Sequence, residues 1–233
     1  MNNPINHRES RRGFIKSGVL WGAAACLGPA RARAAEEKAA EVTPTEDLMQ
    51  EHGVLRRLLL IYDDMGSRLK EGREAPLPVL KEAVGLIRRF VEDYHEKDEE
   101  EYLFTRFNKA GKLVDLVKVL YAQHQGGRQL TARLVETLVP AHFSQAPGRT
   151  RVAAYLQAFS RMYRPHAARE DTVLYPAFRS VISPKEFMAL GDLFEDKEEK
   201  LFGKDGFEKI VAQVADLEKR LGIYELAQFT PQG

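Results

Sequence analysis

HEKDEEEYLF (residues 95–104) and HAAREDTVLY (residues 166–175) carry one pattern twice: a histidine, a glutamate four residues on, and a leucine followed by an aromatic residue at the end. In a helix, residues four apart share a face. Each stretch therefore aims an imidazole and a carboxylate at one point. Residues 51–58 (EHGVLRRL) and 123–130 (QHQGGRQL) also repeat, with Arg at plus four and Leu at plus six from the histidine. His52 precedes His95 by 43 residues, and His124 precedes His166 by 42. The chain thus reads as two copies of a helix pair, and two such hairpins packed face to face make a four-helix bundle.

Thr43-Pro44-Thr45-Glu46 reads as a helix start, with Thr43 as N-cap, Pro44 in the first turn and Glu46 three residues after the cap. Leu48, Leu55, Leu58, Leu59 and Tyr62 keep a helical period behind it. Gly72 and the Pro76–Pro78 pair separate this helix from a second over 78–108, and Ala110-Gly111 breaks that one. A third is expected over 112–138, a loop from Pro140 to Gly148, and a fourth over 149–178. A fifth follows the Ser183-Pro184-Lys185-Glu186 cap, and a sixth runs from Asp205 to Gly222. No run alternates as a strand does. The expected fold is all-α, an up-down-up-down bundle over 44–180 with a C-terminal helical extension over 181–233 packing on it.

Counted along antiparallel helices, the four histidines fall within about 7 Å of one another in height, at roughly 1.5 Å per residue. Two glutamates at that level of the core demand cations, because buried unpaired charge is costly. The candidate metal ligands are His52, His95, Glu99, His124, His166 and Glu170. Imidazole and carboxylate without sulfur suit iron, manganese or zinc. If each glutamate bridges two metals and an oxide or hydroxide adds a further bridge, each metal keeps one open position. His142 matches no partner in this pattern. Tyr121, three residues before His124, is a candidate hydrogen-bond donor to a metal-bound ligand, with core packing as the alternative. Glu51 is either placed to orient a neighbouring histidine or part of a solvated helix surface. Pro165 should kink the fourth helix, and Gly126-Gly127 either opens space beside the metals or marks local irregularity. Glu195–Lys200 reads as a solvated face.

The 233 residues carry 35 Lys and Arg against 34 Asp and Glu. Such a balance offers no electrostatic case for nucleic acid. The first 34 residues resemble a twin-arginine export signal. Ser10-Arg11-Arg12-Gly13-Phe14-Ile15-Lys16 leads into an apolar run from Ser17 to Leu27, and Ala32-Arg33-Ala34 offers a cleavage site. The run is too short to span a membrane. The alternative is a lipoprotein cut before Cys26. Residues 35–43 read as a linker. Cys26 is the only cysteine and leaves with the signal, so thiolate ligands and disulfides are excluded from the exported part. The expected location is the periplasm, with the twin-arginine translocase as partner during export and no membrane span afterwards. A monomer is the working expectation.

The order His, His-x-x-x-Glu, His, His-x-x-x-Glu resembles the hemerythrin-like HHE cation-binding family over about residues 46–178. The resemblance implies a non-haem di-iron centre, oxo- or hydroxo-bridged, held by the six residues above with Glu99 and Glu170 as bridges. It also points to Glu96 as a possible additional ligand and to Asp171 as a replacement for Glu170. Oxygen-carrying hemerythrins place a second histidine four residues after the helix-three histidine. Here Arg128 stands there, which removes a nitrogen ligand, opens the site and argues against simple reversible dioxygen carriage. Arg128 then becomes a candidate neighbour of the ligands. The expected function is handling of a small ligand such as dioxygen, nitric oxide or peroxide. The alternatives are a di-iron oxidoreductase of peroxidase or nitric oxide reductase type with an external reductant, and iron storage or delivery.

Overall fold

A computed structural model describes residues 42–231. The signal-like segment with Cys26 and most of the linker lie outside the described residues. Helix α1 is Pro44–Lys70. Helix α2 runs continuously over 77–110, in segments that begin with Leu77–Leu86 and end with Thr105–Ala110. Helix α3 is Val114–Thr137. Helix α4 runs over 146–178, from Ala146–Arg169 through to Tyr175–Phe178. Helix α5 is Pro184–Phe202 and α6 is Gly206–Leu221. No strand occurs among the described residues.

The expected boundaries hold where turn chemistry marks them. Thr43 accepts from the Glu46 amide at 3.3 Å, while the Glu46 carboxylate accepts from the Thr43 amide at 2.8 Å. Ser183 and Glu186 repeat this reciprocal cap at α5. Gly111 ends α2 at φ 64°, a left-handed conformation that costs glycine nothing. The 140–148 loop departs from expectation. Pro140–Phe143 forms one helical turn, and α4 begins at Ala146. A Cβ on Gly148 would meet the His142 carbonyl oxygen at 1.9 Å, so glycine is what lets the two segments close up. Pro165 stands inside helix α4.

In the bundle α1 packs on α2 and α4, and α3 packs on the same two. Chain neighbours are thus spatial neighbours, as an up-down-up-down order requires. Helix α5 packs on α1, and α6 packs on α1, α2 and α5. Arg57 of α1 donates from Nε and Nη2 to the two carboxylate oxygens of Glu218 at 2.9 and 2.5 Å, which pins α6.

Two apolar cores fill the interior. One includes Leu58, Tyr62, Phe90, Tyr94, Leu134, Phe159 and Tyr163. The other includes Leu48, Leu103, Phe107, Leu120, Leu174 and Phe178. On each bundle helix the change from one core to the other falls at the histidine positions, so a polar layer lies between them. The helices wind unusually there. Ile87–His95, Glu99–Phe104 and Glu170–Leu174 are π-helical. Nine residues of α-helix end about half a turn out of phase. The wider π turns, which cluster at functional sites, bring His166 and Tyr175 to one interior, and His95 and Phe104 likewise.

Removing the cap with Thr43→Ala should cost about 1 kcal/mol. Leu58→Ala, in the fully buried core, should cost about 2–5 kcal/mol. Urea unfolding of both variants checks the order, and a Leu58→Ala cost no larger than that of the cap would contradict this packing.

Candidate metal centre

His52 comes from α1, His95 and Glu99 from α2, His124 from α3, and His166 and Glu170 from α4; all six side chains are buried. Their inner atoms converge. His52 Nε2 and His166 Nε2 lie 3.3 and 3.1 Å from Glu170 Oε2. His95 Nε2 and His124 Nε2 lie 3.6 and 3.4 Å from Glu99 Oε2. His124 and His166 bring their Nε2 atoms within 3.2 Å of each other. Donor atoms of Glu99, His124, His166 and Glu170 all lie within 4.8 Å of one another, as do those of His52, His95 and Glu99. Glu99 belongs to both groups.

The outer nitrogens are held just as completely. His52 Nδ1 meets Asp171 Oδ1 at 2.7 Å, and His95 Nδ1 meets Glu51 Oε2 at 2.8 Å. His124 Nδ1 meets Glu100 Oε1 at 3.1 Å, and His166 Nδ1 meets Gln123 Oε1 at 2.9 Å. Each of these acceptors requires the hydrogen on Nδ1, which turns the Nε2 lone pair inward. His124 and His166 then face each other through Nε2. Glu99 Oε2 and both Glu170 oxygens are buried with no hydrogen-bond partner. Unpartnered buried carboxylate is expensive, and positive charge among the Nε2 atoms is what reconciles the set. Nitrogen and oxygen donors without thiolate fit iron, manganese or zinc.

The hemerythrin HHE cation-binding domain matches residues 43–178, and a second match covers 115–200. The chain belongs to the hemerythrin HHE cation-binding family. That membership and the buried His/Glu cluster make it a metal-binding helical protein. Uncharacterized proteins of Mycobacterium tuberculosis and Mycobacterium bovis are each 46% identical to it over 222 residues, covering 95% of this chain and 87% of theirs. No solved structure matches the chain.

Several expectations around this HHE centre need correction. Tyr121 is 49% exposed and neither packs in the core nor reaches the ligands. Three residues before His124 is a rotation of roughly 60°, and Leu120 takes the inward position instead. Asp171, weighed as a ligand in place of Glu170, lies at the outer nitrogen of His52 and is tied to Arg56. Glu96, the additional ligand weighed above, is buried and brings a donor atom within 4.8 Å of those of Glu100 and His124, while Tyr163 Oη donates to it at 2.5 Å and Arg128 lies 2.8 Å away. Arg128 reaches Glu100 as well, at 2.7 Å, so it adjoins the ligands through carboxylates. Glu51 stands where expected. The 195–200 segment is not merely a solvated face. Lys197 pairs with buried Asp98, and Glu198 accepts from the Phe207 amide at 2.9 Å.

Residues that α-helical spacing did not indicate also face the layer. Tyr175 Oη donates to Glu99 Oε1 at 2.7 Å and its ring stacks on His52 at 5.5 Å. Phe104 stacks on His124 at 5.3 Å. The shared offset of these two aromatics after His166 and His95 was the available signal. Gly127 is explained by Tyr163, because a Cβ there would meet Tyr163 Oη at 2.0 Å. The space opened by the glycine is filled by that hydroxyl.

Burial works against a charged His52, but the hydrogen bond to Asp171 and the Glu170 carboxylate 3.3 Å away outweigh it and raise the pKa to about 9. Burial lowers His95 to about 4, against the pull of Glu99. Burial lifts Glu96 to about 8 despite His124, Arg128 and Tyr163. Burial would also raise Glu100, yet His124, Lys97 and Arg128 hold it down to about 2. Without metal, His52 therefore carries a proton on Nε2 below pH 9, where a metal needs the lone pair. Metal uptake must expel that proton, so the apparent affinity should climb with pH up to about 9, by as much as about tenfold per unit. Competition titrations between pH 6 and 9 check this, and a flat profile would contradict it. Gly127→Ala should lower stability by about 1–3 kcal/mol through overpacking against Tyr163, although alanine is the better helix former. Urea unfolding reads the sign.

Proposed function

We propose that this chain is an exported, hemerythrin-like non-haem di-iron protein that binds a small ligand such as dioxygen, nitric oxide or peroxide. The observation that carries the reading is the inward turn of four Nε2 atoms onto two buried carboxylates with unpartnered oxygens. In this reading His52 and His95 would hold one ion and His124 and His166 the other, with Glu99 and Glu170 as the carboxylate ligands between them. Iron bound there would supply a redox-active Lewis acid able to take up a small diatomic or peroxide ligand. The four outer acceptors hold the imidazole rings in one tautomer. Tyr175 keeps a hydroxyl donor at Glu99 Oε1, beside the ligands. Glu96, which Arg128 and Tyr163 hold beside His124, is an additional ligand candidate in this reading.

Export is supported by the order of Arg11-Arg12, Phe14, Lys16, the apolar run and Ala32-Arg33-Ala34. Among the described residues no helix is long and apolar enough to cross a membrane. The division proposed is signal 1–34, linker 35–43, bundle 44–180 and extension 181–233. A twin-arginine route would deliver the protein folded to the periplasm.

The test is metal content and the visible spectrum of anaerobically purified protein, before and after dioxygen, nitric oxide or peroxide. Two irons per chain and a stable, reversible new band with one of the three are expected. Turnover with an added reductant would replace binding by an oxidoreductase activity. A single zinc, or no metal, would overturn the reading. His95→Ala and His166→Ala should each lose metal, while His142→Ala, an exposed site, should leave metal content unchanged.

A further inference from the structure

The internal repeat extends beyond the six ligands. His52 corresponds to His124, His95 to His166 and Glu99 to Glu170. Five residues after the helix-two and helix-four histidines stand Glu100 and Asp171, which accept from His124 and His52 respectively. Four residues after the other two histidines stand Arg56 and Arg128, paired with Asp171 and Glu100 respectively. Immediately before them stand Glu51 and Gln123, which accept from His95 and His166. The two halves of the centre are thus built to one plan.

The plan is broken in chemistry at three corresponding pairs. Glu51 is a carboxylate and Gln123 a neutral amide. Tyr175 brings a hydroxyl to Glu99, 3.4 Å from His52 Nε2, where Phe104 brings only a ring to His124. Glu96 enters the Arg128 network beside His124, where Ala167 offers nothing. The first break bears directly on ligand strength. A carboxylate accepting an Nδ1 hydrogen draws the proton outward and makes Nε2 a stronger donor, and a neutral amide does so much less. Both histidines of the His52/His95 half lean on carboxylates. In the His124/His166 half one leans on an amide. The other leans on Glu100, whose charge is shared with Arg128 as that of Asp171 is with Arg56, and in addition with Lys97 at 2.8 Å.

We propose that the two halves hold metal unequally, His52/His95 tightly and His124/His166 loosely, and that Glu51 and Gln123 are the positioning residues that set the difference. The proposal rests on the dinuclear reading above. Helices α5 and α6 strengthen the same bias, since they pack on α1 and α2, which carry His52 and His95. The His124/His166 half is then the one whose metal exchanges.

The test is release of metal from the loaded full chain against increasing chelator, counting metal per chain at each step. Wild type should lose its two ions in two steps separated by about 10–100-fold in chelator concentration, the range that such outer hydrogen bonds command. Gln123→Glu should move the easier step toward the harder one. Glu51→Gln should move the harder step toward the easier one. Glu51→Asp should restore part of that loss, which a purely steric role for Glu51 would not do. Two ions leaving wild type in one step, or steps that ignore both substitutions, would overturn the inference and leave the dinuclear reading standing. Fewer than two ions in the starting protein would overturn that reading and the inference with it.

Discussion

Two carboxylates, Glu99 and Glu170, sit at zero exposure in the middle of a helical bundle, and three of their four oxygens have no hydrogen-bond partner. The cost of that burial organises the rest of the molecule. Four imidazoles surround the pair with their lone pairs inward. Each imidazole is held by an acceptor on its far side, and each acceptor except buried Glu51 lies nearer the surface, where Arg56, Arg128 and Lys97 pair with Asp171 and Glu100. Charge therefore alternates outward from the centre. A cation at the middle completes the alternation, and it explains why the family to which the chain belongs is named for cation binding.

The polar layer can exist because two apolar cores clamp it. The cores supply the burial that stabilises the bundle, and the layer marks the point where they meet. The transition is accommodated by π-helical winding on α2 and α4, which changes the phase of the helix across the motif. The C-terminal helices pack chiefly on α1 and α2, with Phe187 of α5 against Phe178 at the end of α4. Through Arg57–Glu218 and Lys197–Asp98 they brace α1 and α2, and the second pair falls next to Glu99. Burial raises the Asp98 pKa to about 7 even against Lys197, so that contact binds an otherwise unfavourable charge next to a residue of the centre.

Much of this was legible in the linear order of residues. The twice-written His-x-x-x-Glu, the two further histidines, and the spacing of 43 and 42 residues point to six residues at one level of a four-helix bundle. The Thr43 and Ser183 caps and the Gly111 break mark helix ends because those residues do one thing at such places. Glu51 was legible as a residue that orients a histidine, but that the histidine is His95 on α2 and not its chain neighbour His52 was not. Tyr121 was misplaced because a helical spacing of three leaves a residue on either the core or the flank, and only packing says which. Tyr175 was missed for a different reason. On an α-helix it faces away from His166, and no residue in the sequence announces the π turns that bring it back.

The sequence by itself determined the helical class, the ends of most helices, the six inward residues and the absence of any cysteine other than Cys26. These depend on period, turn residues and composition, which are local. The tertiary structure alone decided which oxygen faces which nitrogen: that Asp171 lies behind His52 while Glu170 faces it, that Glu96 joins Arg128 and Tyr163, and that Gly127 exists for a hydroxyl on another helix. Those assignments turn on distances of a few ångströms between helices far apart in the chain, and no local pattern encodes them.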